Sequence, residues 1–144
     1  MKIFTHDCLT GSNCFIDDDF IPVFTELCDF ANSLGLKIFI TSAYRNSIVV
    51  PGAIVTPAVM SNHLVGHAID CNIVDNGTYW NSEKLAGELT GNVLALITFV
   101  RNHAILRWGG DFNTRDVVHF DDKLNLRDPE KYREILQSIQ EKIC

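Results

Sequence analysis

Between Phe20 and Leu34 the apolar residues Phe20, Val23, Phe24, Leu27, Phe30, Ala31 and Leu34 recur at three- and four-residue intervals. That spacing gathers side chains on one side of an α-helix. Asp18 or Asp19 is placed to cap its start, Pro22 fits the first turn and Gly35 can end it. The period then changes. Leu36–Ser42 (LKIFITS) reads as a buried strand, and His67–Val74 as a second, closed by a turn at Asp75-Asn76-Gly77. Between them, Asn46–Met60 carries two prolines, a glycine and no clear period, which predicts a long loop of the kind that often serves function.

Farther along, Asn81 can cap a helix beginning at Ser82, and a break near Gly91 precedes a strongly apolar helix from Val93 to about Asn102. Two short strands follow, Ala104–Trp108 and Asp116–Phe120, joined through Gly109-Gly110-Asp111. Asp128-Pro129 opens a last helix whose core face is Tyr132, Ile135, Leu136, Ile139 and Ile143. Helices flank a small antiparallel sheet instead of alternating strictly with strands, so the fold class is α+β. With no repeat and no linker-like tract, the 144 residues read as one domain, 1–144.

Composition narrows the partners. A net charge of −6 with no basic cluster argues against nucleic acid. No apolar stretch approaches the ~20 residues of a membrane span. The N-terminus, with His6, Asp7 and Asp17-Asp18-Asp19, lacks the pattern of a secretory signal. The expectation is a monomer, cytoplasmic as synthesised. Five cysteines (Cys8, Cys14, Cys28, Cys71, Cys144) without CxxC spacing argue against a zinc ribbon. Cys28 and Cys71 read as small buried hydrophobes, and a Cys8–Cys14 bridge stays open.

Two segments carry chemistry: Ser61-Asn62-His63-Leu64-Val65-Gly66-His67-Ala68-Ile69-Asp70 and Asp116-Val117-Val118-His119-Phe120. Together they offer two imidazoles and a carboxylate, the ligand composition of a catalytic zinc with an open fourth position. Asp116 is a spare carboxylate able to take a proton from water. Each residue also has a plainer reading. Asp70 can be a solvent-facing strand residue or turn cap, His119 a core histidine, Arg45 half of a surface ion pair, and Ser61 a turn cap. Trp108 can be simple core and Asp111 a turn residue. On a strand, Asp116 and His119 tend toward opposite faces. His67 and His103 read as structural or solvent-facing, and His6 has no supporting pattern.

The order Ser42-Ala43-Tyr44-Arg45, S-x-H-x-x-G-x-A-x-D, Trp108-Gly109-Gly110-Asp111-Phe112, D-x-x-H-F resembles the zinc D-Ala-D-Ala carboxypeptidase and L-alanyl-D-glutamate endopeptidase family, including VanY-type peptidases and small phage endolysins. The resemblance runs from about residue 36 to 121. It implies a hedgehog/D-Ala-D-Ala peptidase-like fold, one zinc held by His63, Asp70 and His119, Asp116 as catalytic base and Arg45 as the cation steadying the substrate. Ser61, Tyr44, Asp111 and Phe112 would line the substrate side. The implied substrate is the peptidoglycan stem peptide. The L-Ala–D-Glu bond is favoured because the base is Asp, where the carboxypeptidases tend to use Glu. The resemblance further implies action on the cell wall after phage-type release. Terminal D-Ala trimming is the alternative, and a non-catalytic, hedgehog-like zinc-bearing binding module is the rival of another class. Asn46–Met60 matches the family poorly, and Val118 stands where related endopeptidases often have proline.

Overall fold

Three short strands begin the chain: β1 (Lys2–Phe4), β2 (Leu9–Gly11) and β3 (Cys14–Ile16). β1 pairs antiparallel with β3, while β2 runs parallel to β4 (Leu36–Ser42). The helix between them, α1 (Ile21–Ser33), buries Val23, Phe24, Leu27, Cys28 and Ala31 on one face. Its entry is a short 3₁₀ turn, Asp18–Phe20, capped by the Asp17 side chain and not by Asp18 or Asp19. Gly35 ends it at φ +74°, a conformation costly for any side chain. This computed structural model describes residues 1–46 and 60–143, so most of the expected Asn46–Met60 loop lies outside the described residues, as does Cys144.

The main sheet runs from β2 through β4, β5 (Ala68–Asp75) and β8 (His119–Asp121) to β7 (Arg107–Trp108), with β6 (Thr78–Trp80) on β5. Every pairing except β2–β4 is antiparallel. The α+β class read from the pattern is therefore observed, with one parallel edge added. β4 alternates instead of being buried throughout: Leu36, Ile38 and Ile40 face the core, while Lys37 and Thr41 are exposed. β5 does the same, sending Ile69, Cys71 and Ile73 inward and leaving Asp70 and Asn72 on the other face. The inward face packs on α1 and on α3 (Gly91–Asn102), whose Val93, Leu96, Ile97 and Val100 are buried.

The last two strands are shorter than the pattern predicts. β7 is only Arg107–Trp108 and β8 only His119–Asp121. The expected strand residues Asp116–Val118 instead approach and form a turn, closed by His119 N–H donating to the Asp116 carbonyl at 3.1 Å. A short helix α2 (Ser82–Ala86) is capped by Asn81, as its sequence suggests. An unforeseen α4 (Leu124–Arg127) precedes α5 (Pro129–Ile143). Val65, Leu124 and Tyr132 form a second small core with Met60, Ile135 and Leu136. That core seats the 3₁₀ turn Asn62–Val65 against α5. Among the described residues no helix is long and apolar enough to cross a membrane.

Candidate metal centre

Asp70 and His119 are direct cross-strand partners on β5 and β8. Opposed residues of an antiparallel pair project to the same face, so strand register alone joins a carboxylate to an imidazole. His63 reaches the same point from the turn Asn62–Val65, which is capped by Ser61 and closed by Gly66 at φ +73°. Gly66 has a second reason to lack a side chain: a Cβ there would sit 2.6 Å from the Asp17 nitrogen.

The turn is tied down from several sides. Asn62 Nδ2 donates to Asn125 Oδ1 at 3.1 Å, and Asn125 N–H returns a bond to Asn62 Oδ1 at 3.0 Å. The Tyr132 hydroxyl donates to the Ser61 carbonyl at 2.9 Å. Beside it, His67 bridges Asp17 and Asp122 at 2.9 and 2.7 Å. Burial alone would depress the His67 pKa, but hydrogen bonds to the two carboxylates outweigh it and raise it to about 9. His67 is thus structural and not solvent-facing. At the end of α3, His103 Nδ1 accepts from the N–H groups of Ile105 and Leu106.

Three donor atoms converge. His63 Nε2 lies 3.2 Å from Asp70 Oδ1 and 3.2 Å from His119 Nδ1, and His119 Nδ1 lies 3.4 Å from Asp70 Oδ1. Tetrahedral ligands at 2.0–2.2 Å from zinc stand roughly 3.3 Å apart, so this triangle fits the ion. The outward nitrogens are both engaged. His63 Nδ1–H donates to the Ala43 carbonyl at 2.7 Å, and His119 Nε2–H donates to Asp121 Oδ2 at 2.7 Å. Each ring therefore turns its lone pair toward Asp70, and three acceptors face one another where only a proton or a cation relieves their repulsion. Carboxylate and carbonyl partners behind ligating imidazoles fix ring orientation and raise ligand basicity.

The electrostatics agree. Burial alone would raise the Asp70 pKa, but His119 and His63, when a proton occupies the nitrogen facing it, hold it well below the usual carboxylate range. Burial likewise opposes charge on His119, yet Asp121 and Asp70 raise its pKa to about 9. The pocket attracts positive charge.

Asp116 stands just outside the triangle, with Oδ2 4.0 Å from His119 Nδ1 and its side chain half exposed. Partial burial and the neighbouring Asp70 raise its pKa, against the pull of His119, His63 and Arg45. A base must be able to hold the proton it takes, and this shift is in that direction. Two features place it. The Trp108 indole N–H donates to the Val117 carbonyl at 2.7 Å, and Asp116 N–H donates to the Gly109 carbonyl at 2.9 Å. A Cβ on Gly109 would collide with the Asp116 carbonyl, and one on Gly110 with the Trp108 indole, so both glycines are required by packing. The bend at Val117-Val118 sets Asp116 on the same side as His119, which a straight strand would not.

The remaining sequence-nominated residues divide. Arg45 is exposed, and its backbone N–H donates to the His63 carbonyl at 3.0 Å, which places it beside the triangle. The Phe112 ring lies 5.6 Å from that of His119, and the Arg107 guanidinium stands over the Phe112 ring at 4.7 Å. Tyr44 packs edge-on against Phe15 at 5.9 Å. Ser61 Oγ accepts from His63 N–H at 3.3 Å, a turn cap. Asp111 accepts from Arg101 Nε and Nη2 at 2.9 and 2.8 Å, so both its oxygens are engaged in an ion pair. Sequence reasoning missed Asp121, Asn62, Asn125 and Arg107. Only the two-residue step from His119 to Asp121 could have hinted that they share a face.

Residues 55–122, which contain all three converging donors and Asp116, match the family described as D-alanyl-D-alanine carboxypeptidase. The chain is similar to that peptidase family. The match bears out the resemblance read from the motifs. Among solved structures, the L-Ala D-Glu endopeptidase ChiX of Serratia marcescens aligns with a TM-score of 0.49 at 19% identity, covering 76% of this chain and 82% of that one. No curated protein matches the sequence.

Proposed function

We propose that this protein is a zinc-dependent peptidase of peptidoglycan stem peptides, cleaving between L-Ala and D-Glu. The observation that carries the reading is the triangle of His63, Asp70 and His119, sized for one zinc ion, with Asp116 beside it. The family match over the same residues supports hydrolysis of an amide bond in cell-wall peptides.

Zinc bound by these three side chains supplies Lewis acidity toward a carbonyl and toward water, whose pKa such an ion lowers to roughly 7. The protein's own groups do the rest. Asp116 takes the proton of the attacking water and returns it to the departing amine, for which its raised pKa suits it. Arg45 offers a fixed positive charge to the carbonyl oxygen as it becomes negative. Phe112 supplies an apolar wall beside His119. Asp121 and Ala43 keep the imidazoles from swinging out of line.

The bond choice rests on Asp116, since the carboxypeptidases of the resembled family tend to use the longer Glu as base. The family description favours the second reading, removal of a terminal D-Ala. Mass spectrometry of muropeptides digested with the purified protein separates them. A new D-Glu amino terminus with L-Ala left on the muramyl side is expected. Loss of one terminal D-Ala would replace the endopeptidase reading, and intact muropeptides would favour a zinc-bearing binding module.

A further inference from the structure

A second cluster lies at the opposite end of β4. His6, Asp7, Cys8 and Leu9 form a tight turn, with Leu9 N–H donating to the His6 carbonyl at 3.0 Å. Ile38 N–H fastens that turn to β4 through the Cys8 carbonyl at 2.8 Å. Ile38 and Ala43 are five residues apart along that strand and its exit, roughly 16 Å at 3.3 Å per residue, so the turn is remote from the catalytic triangle. The turn presses both His6 and Cys8 against α1 at Cys28. One nitrogen of His6 and the two sulfurs all lie within 4.8 Å of one another.

We propose that His6, Cys8 and Cys28 form a second metal site, for a thiophilic cation of the zinc class, that ties the 6–9 turn to α1. Three observations carry it. Both cysteines are free and fully buried, side by side in an otherwise apolar core. The His6 ring is preset: Nε2–H donates to Asp29 Oδ1 at 2.8 Å, leaving Nδ1 unprotonated. That nitrogen faces Cys8, accepting its backbone N–H at 3.1 Å, a contact that a cation would replace. This carboxylate–imidazole arrangement is the one that stands behind metal-bound histidines. The chemistry of the donors matches as well. Thiolate sulfurs about 2.3 Å from a tetrahedral zinc sit roughly 3.8 Å apart, and two thiolates with one imidazole select soft cations over calcium or magnesium.

The site is independent of the proposed reaction, and its donors differ from those of the triangle in kind. Cobalt(II), titrated alone into reduced, metal-free protein, distinguishes the two, because only cysteine ligation gives an intense thiolate-to-cobalt charge-transfer band in the near ultraviolet. The expected result is such a band in the native chain, saturating at one equivalent in the His63→Ala/His119→Ala double variant and lost in Cys8→Ser and Cys28→Ser. Asp29→Asn, on the exposed side of α1, tests the site without disturbing the core. It is expected to weaken binding at least about tenfold. Absence of the band in the native chain would overturn the proposal. So would a band that persists in both serine variants, or one unaltered in affinity by Asp29→Asn.

Discussion

Asp121 holds His119 from behind, its Oδ2 2.7 Å from Nε2, and both side chains lie on the same face of β8 because they are two residues apart. Arg107, the cross-strand partner of Asp121, grips the same carboxylate at 2.6 and 3.1 Å. The Arg107–Asp121–His119 chain thus runs across two strands and ends at His119 Nε2, on the far side of the ring from the nitrogen that faces the triangle. Burial would raise the Asp121 pKa, but His119 and Arg107 hold it well below the ordinary range, so the carboxylate stays charged. Asp121→Asn keeps the shape and removes that charge. Zinc affinity at the triangle, measured by competition with a chelator, is expected to fall about 10–100-fold with the fold intact. An unchanged affinity would show that β8 alone orients the ring.

Asp116 touches His119 only at 4.0 Å and lies outside the donor triangle. Asp116→Ala is therefore expected to bind zinc as the native chain does while losing about 10²–10⁴-fold in turnover, the usual reach of a general base. Zinc content and muropeptide hydrolysis measured on one preparation decide the point. Loss of zinc together with activity would make Asp116 a ligand instead.

Gly109 sits where a single added methyl meets the Asp116 carbonyl and lies 3.0 Å from the His119 Cβ. Gly109→Ala is expected to cost about 1–3 kcal/mol in urea unfolding, the usual range for overpacking. Activity should fall by more than the loss of folded protein explains, because the clash displaces Asp116. A fully active, equally stable variant would show that the 109–116 segment yields without consequence.

Stability should fall as pH rises past neutrality. The folded pKa of His67 is raised from 6.5 to about 9, so its stabilising pairs with Asp17 and Asp122 are fully present below pH 6.5 and lost as pH climbs toward 9. Asp17 acts in the opposite sense: burial would raise its pKa, but the bond to His67 lowers it, so its contribution vanishes under acid conditions. The unfolding midpoint of zinc-loaded protein is expected to decline between pH 6.5 and 9, and His67→Gln should flatten that decline. Parallel profiles in the two proteins would place the titration elsewhere.

Much of this protein was legible along the chain because the deciding interactions are local. The helix α1 follows from a 3.6-residue apolar period, and the caps at Asn81 and the stop at Gly35 from short-range backbone chemistry. Alternation on β5 put Asp70 on the face opposite Ile69 and Cys71, as the structure has it. The motifs around His63, Asp70, Asp116 and His119 named the side chains that the structure brings side by side. Tertiary structure alone decided how those groups meet, because register is a relation between strands and cannot be read from either one. Asp70 opposes His119 only through the β5–β8 pairing, and Arg107 meets Asp121 only through β7–β8. The bend that turns Asp116 to the His119 side depends on an indole hydrogen bond across nine residues and on the space at Gly109. His6, Cys8 and Cys28 carry no spacing signal, since a turn and a helix twenty residues apart become neighbours only when both pack on the same core.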